Sequence, residues 1–487
     1  MHDETPCAMR PVARSLHVPH FRRMPGFFAR LGHPDLLRSR ARIDRFKLAS
    51  RKHVRDRLME DGVIAEAVRL HAAQQGTPEQ DGWRKVDSYI HEIVPFFNVV
   101  AYYQVGYRVA GWLLRLFYKT SVDFEDDRAR ASLPRDAVLV YVMNHRSNAD
   151  YILVSYALAG QVAISYAVGE WARAFPLETV FKAFGSYFIR RRYREPLYHA
   201  VLERYVQLIT REGVTQGIFV EGGLTRDGRL RAPKIGLLDY VLGIGRDPEF
   251  ARRLHVVPVA VNYDRVLEDR SLLRELDRNA GGRRPSRVVQ AYEVLRYFGW
   301  NLARMLSRRW KRYGRAAVVV GAPVPLASWF AEHADLFALE KPERLGQVQL
   351  LCDQLLERVG RLIPVTPVPL VCAAFQSFDS EFVSRDDLLE RIREMREVLN
   401  ELNARVLSGD NGADEVFSRA WRMLRMRHVV AEEGRGYLVL PRGRPLISYY
   451  ANSVAHLLGP FVAAVLARDA LPAMAELRNT GQFEVTR

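Results

Sequence analysis

Between residues 138 and 150 the chain reads VLVYVMNHRSNAD, an apolar run followed by His145 and, five residues on, Asp150. Side chains of these two types do one kind of chemistry well. A carboxylate that accepts a hydrogen bond from one imidazole nitrogen fixes the tautomer and leaves the other nitrogen as a general base. Five residues of ideal helix rotate by about 500°, so the two side chains cannot share a helical face. They meet only where His145 sits in the turn leaving a strand, 138–142, and Asp150 sits in the first turns of the next helix. With 13 His in the chain, one such spacing arises easily by chance, and a loop His beside a helix-capping Asp reads the same way.

Two further stretches give the pair a context. In AFGSYFIRRR, 183–192, a short β-prone run, Tyr187-Phe188-Ile189, delivers Arg190, Arg191 and Arg192 at its end. Guanidinium forks at a strand terminus suit bidentate capture of a phosphate, and the bland alternative is a solvated charge run. After a helix expected over 197–211 comes GIFVEGGLTRDGRLRAPKIG, 217–236. Its run 218–220 reads as a buried strand, and Glu221-Gly222-Gly223 as a turn where backbone comes close to a ligand. Thr225, Arg226 and Lys234 add donors and positive charge; the bland alternative is an ordinary glycine turn with surface arginines.

The elements that must hold these residues follow from hydrophobic patterning. Residues 151–169 are uncharged for 19 positions, a length that could span a bilayer. The break at Gly160 instead predicts a helix to about 158 and a strand over 162–168, so that strand, helix and strand form a parallel unit with a crossover. Residues 254–266 predict another strand, which Pro258 places at an edge or a bulge. A further strand is expected at 316–320. Helices are expected at 350–362, at 385–402 with Ser384 as N-cap, and at 413–426, with a hairpin over 428–440. The aromatic-rich stretch 89–118, interrupted by Arg108 and Arg115, predicts one or two helices packed on the core or lying in a bilayer surface. The expectation is an α/β fold, a mixed, largely parallel sheet flanked by helices. It divides into a basic N-terminal arm (1–75), a helical, membrane-apposed segment (76–130), an α/β core (131–325) and a mainly helical C-terminal region (326–487).

Hydrophobic residues at 48% and charged residues at 26% are those of a globular protein, and 487 residues are ample for a large core. The net charge of +16 calls for an anionic partner: nucleic acid, acidic lipid head groups, or a phosphorylated substrate. Cys7, Cys352 and Cys372 are scattered, which points to neither a disulfide framework nor a zinc site. No apolar core follows the basic residues of 1–60, so a secretory signal is not expected. Residues 38–57 read as a basic amphipathic helix or a solvated arm. Along 288–313, Leu295, Phe298, Leu302, Met305 and Leu306 fall on one side of a helical projection and Arg296, Arg304, Arg308, Lys311 and Arg312, with Arg315 just beyond, on the other. That pattern is expected of a peripheral anchor on an anionic membrane surface, or of a helix packed on the core with solvated arginines.

Taken together, NHRSNADY, GSYFIRR, FVEGGLTRDG and VVPVAVNYDRV, in this order and spacing, resemble the glycerol-phosphate acyltransferase family, in particular bacterial glycerol-3-phosphate acyltransferases of the PlsB type and the related dihydroxyacetone-phosphate acyltransferases. The resemblance runs on through VVVGAPVPLASWF and IPVTPVPL to SYYANSVAHLL. It implies His145 and Asp150 as the catalytic pair. It places substrate binding on Phe188, Ile189, Arg190 and Arg191, on Glu221, Gly222 and Gly223, and on Pro258, with Arg226 and Lys234 as further phosphate donors. The implied reaction is acyl transfer from acyl-CoA or acyl carrier protein to the sn-1 hydroxyl of glycerol-3-phosphate, with no metal and no cofactor, at the cytoplasmic face of the cell membrane. One position departs from the pattern: where the family usually has Arg directly after the Glu-Gly-Gly turn, this chain has Leu224. Two other readings stand beside this one. The acceptor could be dihydroxyacetone phosphate or a lysophospholipid. The helix–helix–hairpin pattern over 385–440 could be a winged-helix nucleic-acid module, but it lacks an Arg/Lys-dense recognition helix, so no nucleic acid is expected.

Overall fold

The computed structural model describes residues 46, 49–98, 101–159, 162–173, 177–191, 193–279, 313–407 and 412–479. The expected helix at 288–313, and most of the arm before residue 50, lie outside the described residues.

Eight strands form the main sheet: β1 Lys119–Phe124, β2 Val138–Met143, β3 Ser165–Val168, β4 Tyr187–Phe188, β5 Gln216–Phe219, β6 Leu254–Tyr263, β7 Arg315–Val320 and β8 Val324–Pro325. Their order is β1-β7-β6-β2-β5-β3-β4, with β8 also paired to β6. The five strands β6, β2, β5, β3 and β4 run parallel, and β7 is antiparallel to β6. This is the mixed, largely parallel sheet flanked by helices that the patterning predicts.

β2 shows why the run VLVYVM has no polar interruption. All six of its residues are buried, as a strand covered on both faces requires. Val138, Val140 and Val142 face one apolar layer with the helices Arg51–Met59, Gly62–Gln75, Glu79–Ile93, Pro196–Arg211 and Lys341–Leu362. Leu139, Tyr141 and Met143 face the other, with the helix Asp150–Leu158 and the C-terminal helices Pro367–Gln376, Arg385–Glu401, Ala413–Met426 and Arg444–Asn452. The period-two alternation of a strand thus divides the molecule into two layers.

Pro258 meets one of its two expected settings and not the other: the strand is no edge, but its register slips by one residue there, between Val256↔Val324 and Val259↔Val320. It lies inside β6, a strand paired on both sides, opposite Val142 of β2. On the other side β6 pairs with β8 at His255 and Val256 and with β7 from Val259 onward, so Pro258 falls where the partner changes. Its carbonyl accepts the Gly321 N–H at 2.8 Å. The missing N–H of Pro258 points to the same side, where the partner chain is turning, and no ladder bond is lost.

The expected strand at 162–168 is shorter, Ser165–Val168. Within 89–118 the helix Glu79–Ile93 ends, and a π-helical turn, Ala101–Gly106, runs into the helix Tyr107–Phe117. Ser384 caps Arg385–Glu401 by accepting the Asp387 N–H at 3.1 Å. The expected hairpin is present as β10 Val430–Glu433 and β11 Gly436–Val439, joined by β9 Phe382–Ser384 in a small second sheet. Among the described residues no single helix is long and apolar enough to cross a membrane.

Candidate active site

Parallel strands bring their carboxyl ends to one edge, and that edge is where open α/β sheets bind ligands. His145 follows β2, Glu221 to Gly223 follow β5, Gly169 follows β3, and Arg190 and Arg191 follow β4. These strands are consecutive neighbours in the sheet, each about 5 Å from the next. Three separate motifs therefore share one crevice.

The loop from β2 to the helix Asp150–Leu158 is held at both ends. Asn144 Nδ2 donates to the Val261 carbonyl at 3.0 Å and its Oδ1 accepts the Val261 N–H at 2.8 Å, which ties the exit of β2 to β6. Asp150 opens the helix and is fully buried. Its Oδ2 accepts from His145 Nδ1 at 2.9 Å, from the Arg146 N–H at 2.7 Å and from the Ser147 N–H at 3.0 Å. Its Oδ1 accepts the Tyr263 hydroxyl at 2.5 Å. A carboxylate only accepts, so the bond to Nδ1 assigns the proton to that nitrogen. Nε2 is left with its lone pair and has no hydrogen-bond partner among the described residues. The imidazole lies against the Phe219 ring, centroids 4.1 Å apart, with the Tyr151 ring edge-on at 5.5 Å. His145 is 1% exposed, so its environment is dry and its orientation set by packing.

Glu221 is a clamp between two segments. Its Oε1 accepts the His145 N–H at 2.7 Å and its Oε2 the Arg231 N–H at 3.0 Å. Burial raises its carboxyl to about 7, against the opposing pull of Arg146 and the two N–H donors. Gly222 turns the chain with φ +65°, a conformation that favours glycine. The buried Arg146 guanidinium donates to the carbonyls of Gly228 and Ser453, fastening the His145 loop to the Gly228 turn and to the end of Arg444–Asn452. Beyond the pair, Glu268 accepts from Ser147 Oγ at 2.7 Å and from the Asn148 N–H at 3.2 Å. Burial raises the Glu268 carboxyl above its ordinary value.

The residues singled out from the motifs separate into groups. His145, Asp150, Glu221, Gly222, Gly223 and Arg191 come together at the strand ends. Arg190 does not join them: its guanidinium is held bidentate by Glu92, at 2.9 and 2.6 Å, over the Tyr193 ring. Arg226 pairs with Glu275 at 2.6 Å. Phe188 is a core side chain and Ile189 packs against the opposite layer. Lys234 is exposed, its stem against Gly222. Pro258 lies within β6, level with Val142 and Ile218, each one residue short of the end of its strand. Reading the motifs missed Tyr263, Glu268, Arg146 and Arg231. Tyr263 lies in the fourth block, VVPVAVNYDRV, five residues after the proline that drew notice; Arg146 and Arg231 had no signal beyond being polar within a motif, and Glu268 lies just past the fourth block.

Comparison with known proteins finds similarity to acyltransferases. A family model described as "Acyltransferase" matches residues 126–262. One described as "Glycerol-3-phosphate acyltransferase C-terminal region" matches residues 299–479. The glycerol-3-phosphate acyltransferase of Aeromonas hydrophila is 27% identical over 440 residues, covering 87% of this chain and 52% of that protein. Those of Xylella fastidiosa strain M23 and Xanthomonas axonopodis pv. citri are each 27% identical over 423 residues, or 84% of this chain and 47% and 46% of theirs. The chain spans about half the length of the curated relatives it matches. A solved 1-acyl-sn-glycerophosphate acyltransferase from Thermotoga maritima overlaps 52% of this chain and 76% of its own at a TM-score of 0.29 and 18% identity, too slight a likeness to bear on function. The two models in order, and the relatives matched along most of the chain, point the same way as the three motifs gathered at one sheet edge: the chain is similar to glycerol-3-phosphate acyltransferases.

Proposed function

We propose that the protein transfers an acyl group from a thioester to the sn-1 hydroxyl of glycerol-3-phosphate, giving 1-acylglycerol-3-phosphate, with His145 as general base. The observation that carries this reading is the 2.9 Å bond between His145 Nδ1 and Asp150 Oδ2, which leaves Nε2 unpartnered at the carboxyl edge of the sheet. In the proposed step Nε2 takes the hydroxyl proton as the oxygen attacks the thioester carbonyl, and Asp150 stabilises the imidazolium that forms. Collapse of the tetrahedral intermediate breaks the C–S bond, and the proton passes from His145 to the departing thiolate. Both substrates occupy one site, so no acyl-enzyme is required and proximity supplies much of the acceleration. Arg191, beside Gly223, would take the acceptor's phosphate. The acyl donor is acyl-CoA or acyl carrier protein, and the reaction as written needs no other cofactor.

A peripheral position on an anionic membrane fits the same reading, since the product is a lipid. The charge of +16 supports it. So does an exposed apolar row on the segment Ala101–Phe117, where Val105, Val109 and Trp112 are 59%, 48% and 54% exposed. An exposed row of this kind marks an interaction surface.

Labelled glycerol-3-phosphate offered with each donor in turn tests the activity, and His145→Ala tests the mechanism. A general base contributes about 10²–10⁴-fold. Turnover in a folded His145→Ala protein within about tenfold of the wild type would dispose of the mechanism.

A further inference from the structure

The basic side chains near the Glu221-Gly222-Gly223 turn fall into two classes. Arg146, Arg190 and Arg226 are committed to protein acceptors: two carbonyls, Glu92 and Glu275 respectively. Arg191, Arg231 and Lys234 are not: among the described residues none of them makes an ion pair with a carboxylate, and of the three it is Arg191 and Arg231 that reach Gly223. The Arg191 guanidinium lies on the backbone of Gly169, where an added Cβ would meet Nε at 2.7 Å and Cζ at 2.9 Å. It thus reaches across from the end of β3 to the end of β5. A Cβ built on Gly223 would meet Arg191 Nη1 at 3.3 Å and Arg231 Nη1 at 3.4 Å. Two guanidiniums from distant parts of the chain therefore flank a single point above Gly223.

The Arg231 backbone is fixed there by its N–H bond to Glu221, and Nη1 makes one 3.3 Å bond to the Leu224 carbonyl. A guanidinium has five N–H donors, so most of its capacity is unspent. Two like charges converging on one point, with no carboxylate between them, repel each other until an anion sits there. Among the described residues the backbone N–H groups of Gly223 and Leu224 also have no acceptor, and consecutive N–H groups in such a turn form an anion-binding concavity. The Leu224 side chain packs against an apolar cluster and offers nothing to an anion.

We propose that Arg231 is a substrate-binding residue: with Arg191 it binds the phosphate of the acceptor above Gly223, and it supplies in space the guanidinium that Leu224 removes from the chain position after the Glu-Gly-Gly turn. This inference rests on the acyl-transfer reading above.

The test is a comparison of the full-length protein with Arg231→Leu, Arg231→Lys and the double variant Leu224→Arg/Arg231→Leu. Initial rates are taken against glycerol-3-phosphate at saturating donor and against donor at saturating glycerol-3-phosphate. Loss of a charge-assisted phosphate contact raises the acceptor KM in Arg231→Leu by about 10- to 100-fold and leaves the donor KM unchanged. Arg231→Lys, which keeps the charge and loses the fork, falls between. The double variant recovers much of the acceptor KM, because it returns a guanidinium to the same turn. An acceptor KM in Arg231→Leu or Arg231→Lys indistinguishable from wild type, a parallel rise in donor KM, or no recovery in the double variant overturns the assignment. Calorimetric titration with glycerol-3-phosphate separates the two levels of the argument. A wild type that binds it more tightly than Arg231→Leu yet turns over neither donor refutes acyl transfer and leaves Arg231 as the anion ligand; equal binding refutes Arg231.

Discussion

Replacing Asp150 by Asn tests the reading with least disturbance to the fold. Oδ2 receives three N–H donors, two of them backbone groups that cannot turn away, and Oδ1 receives the Tyr263 hydroxyl. An Asn amide with its oxygen in the Oδ2 position keeps all three N–H partners. Its NH₂ then faces Tyr263 Oη, which can accept once its own proton turns away. Each charge-assisted bond becomes a neutral one, roughly half as strong, so the cost to stability is on the order of 1–3 kcal/mol and the protein stays folded. The cost to catalysis is larger. As Nε2 takes the hydroxyl proton, an imidazolium forms against a buried carboxylate. Charge centres roughly 4 Å apart at an effective dielectric of about 20 interact by about 4 kcal/mol. The neutral amide does not supply this interaction, so kcat falls by about 10³-fold. The acceptor KM stays near the wild-type value, because Asp150 does not face the phosphate site. Asp150→Ala behaves differently: it leaves buried donors unpaired and destabilises the protein itself. Steady-state kinetics with a melting curve on each variant reads both effects. A folded Asp150→Asn that retains kcat within about tenfold refutes the assignment of this pair to proton transfer.

Arg191→Ala is expected to raise the acceptor KM by at least about tenfold with donor KM unchanged, as loss of a phosphate contact does. Arg190→Ala is expected instead to lower the melting temperature by leaving the half-buried Glu92 with Arg173 as its one remaining arginine partner; the reverse pattern would exchange their roles. Burial raises Glu221 to about 7 from an ordinary value of 4.5, so its contribution to stability is complete below about pH 4.5 and is lost as pH rises through 7. Glu221→Gln does not titrate, so its stability deficit against wild type, largest at low pH, should shrink by about 3 kcal/mol between pH 4.5 and 8; a gap constant with pH would contradict the burial argument. The protein should float with vesicles containing an anionic lipid, less so at high salt. Val109→Glu with Trp112→Glu, set against Arg304→Gln, Arg308→Gln and Lys311→Gln, shows which segment holds it; flotation of both variants equal to wild type at every salt concentration excludes both.

The core of the site was legible because it is local. His145 and Asp150 are separated by one turn, and the short, valine-rich apolar run ahead of them reads as a buried strand. The helix start at Asp150, the Ser384 cap and the hairpin around Glu433 are likewise short-range decisions, made by side chains a few residues away. Pro258 left two settings open, an edge or a bulge, for the complementary reason. A proline's tolerance depends on which side of the strand its missing donor faces, and that is set by where β7 gives way to β8 some 60 residues downstream, a distance no local pattern spans.

Sequence alone therefore determined the His145–Asp150 pair, the parallel unit that presents it and the turn of Glu221 to Gly223. Which arginine is left free of a carboxylate was decided only in three dimensions. Arg190 and Arg191 are adjacent and alike in sequence, yet Glu92, 98 residues earlier, captures the first and leaves the second. Arg226 sits two residues past Leu224 but is taken by Glu275, while Arg231, further along, is returned to Gly223 by a backbone bond to Glu221. A guanidinium is free for a ligand only if no carboxylate reaches it first, and which carboxylates reach it is a property of the packed chain.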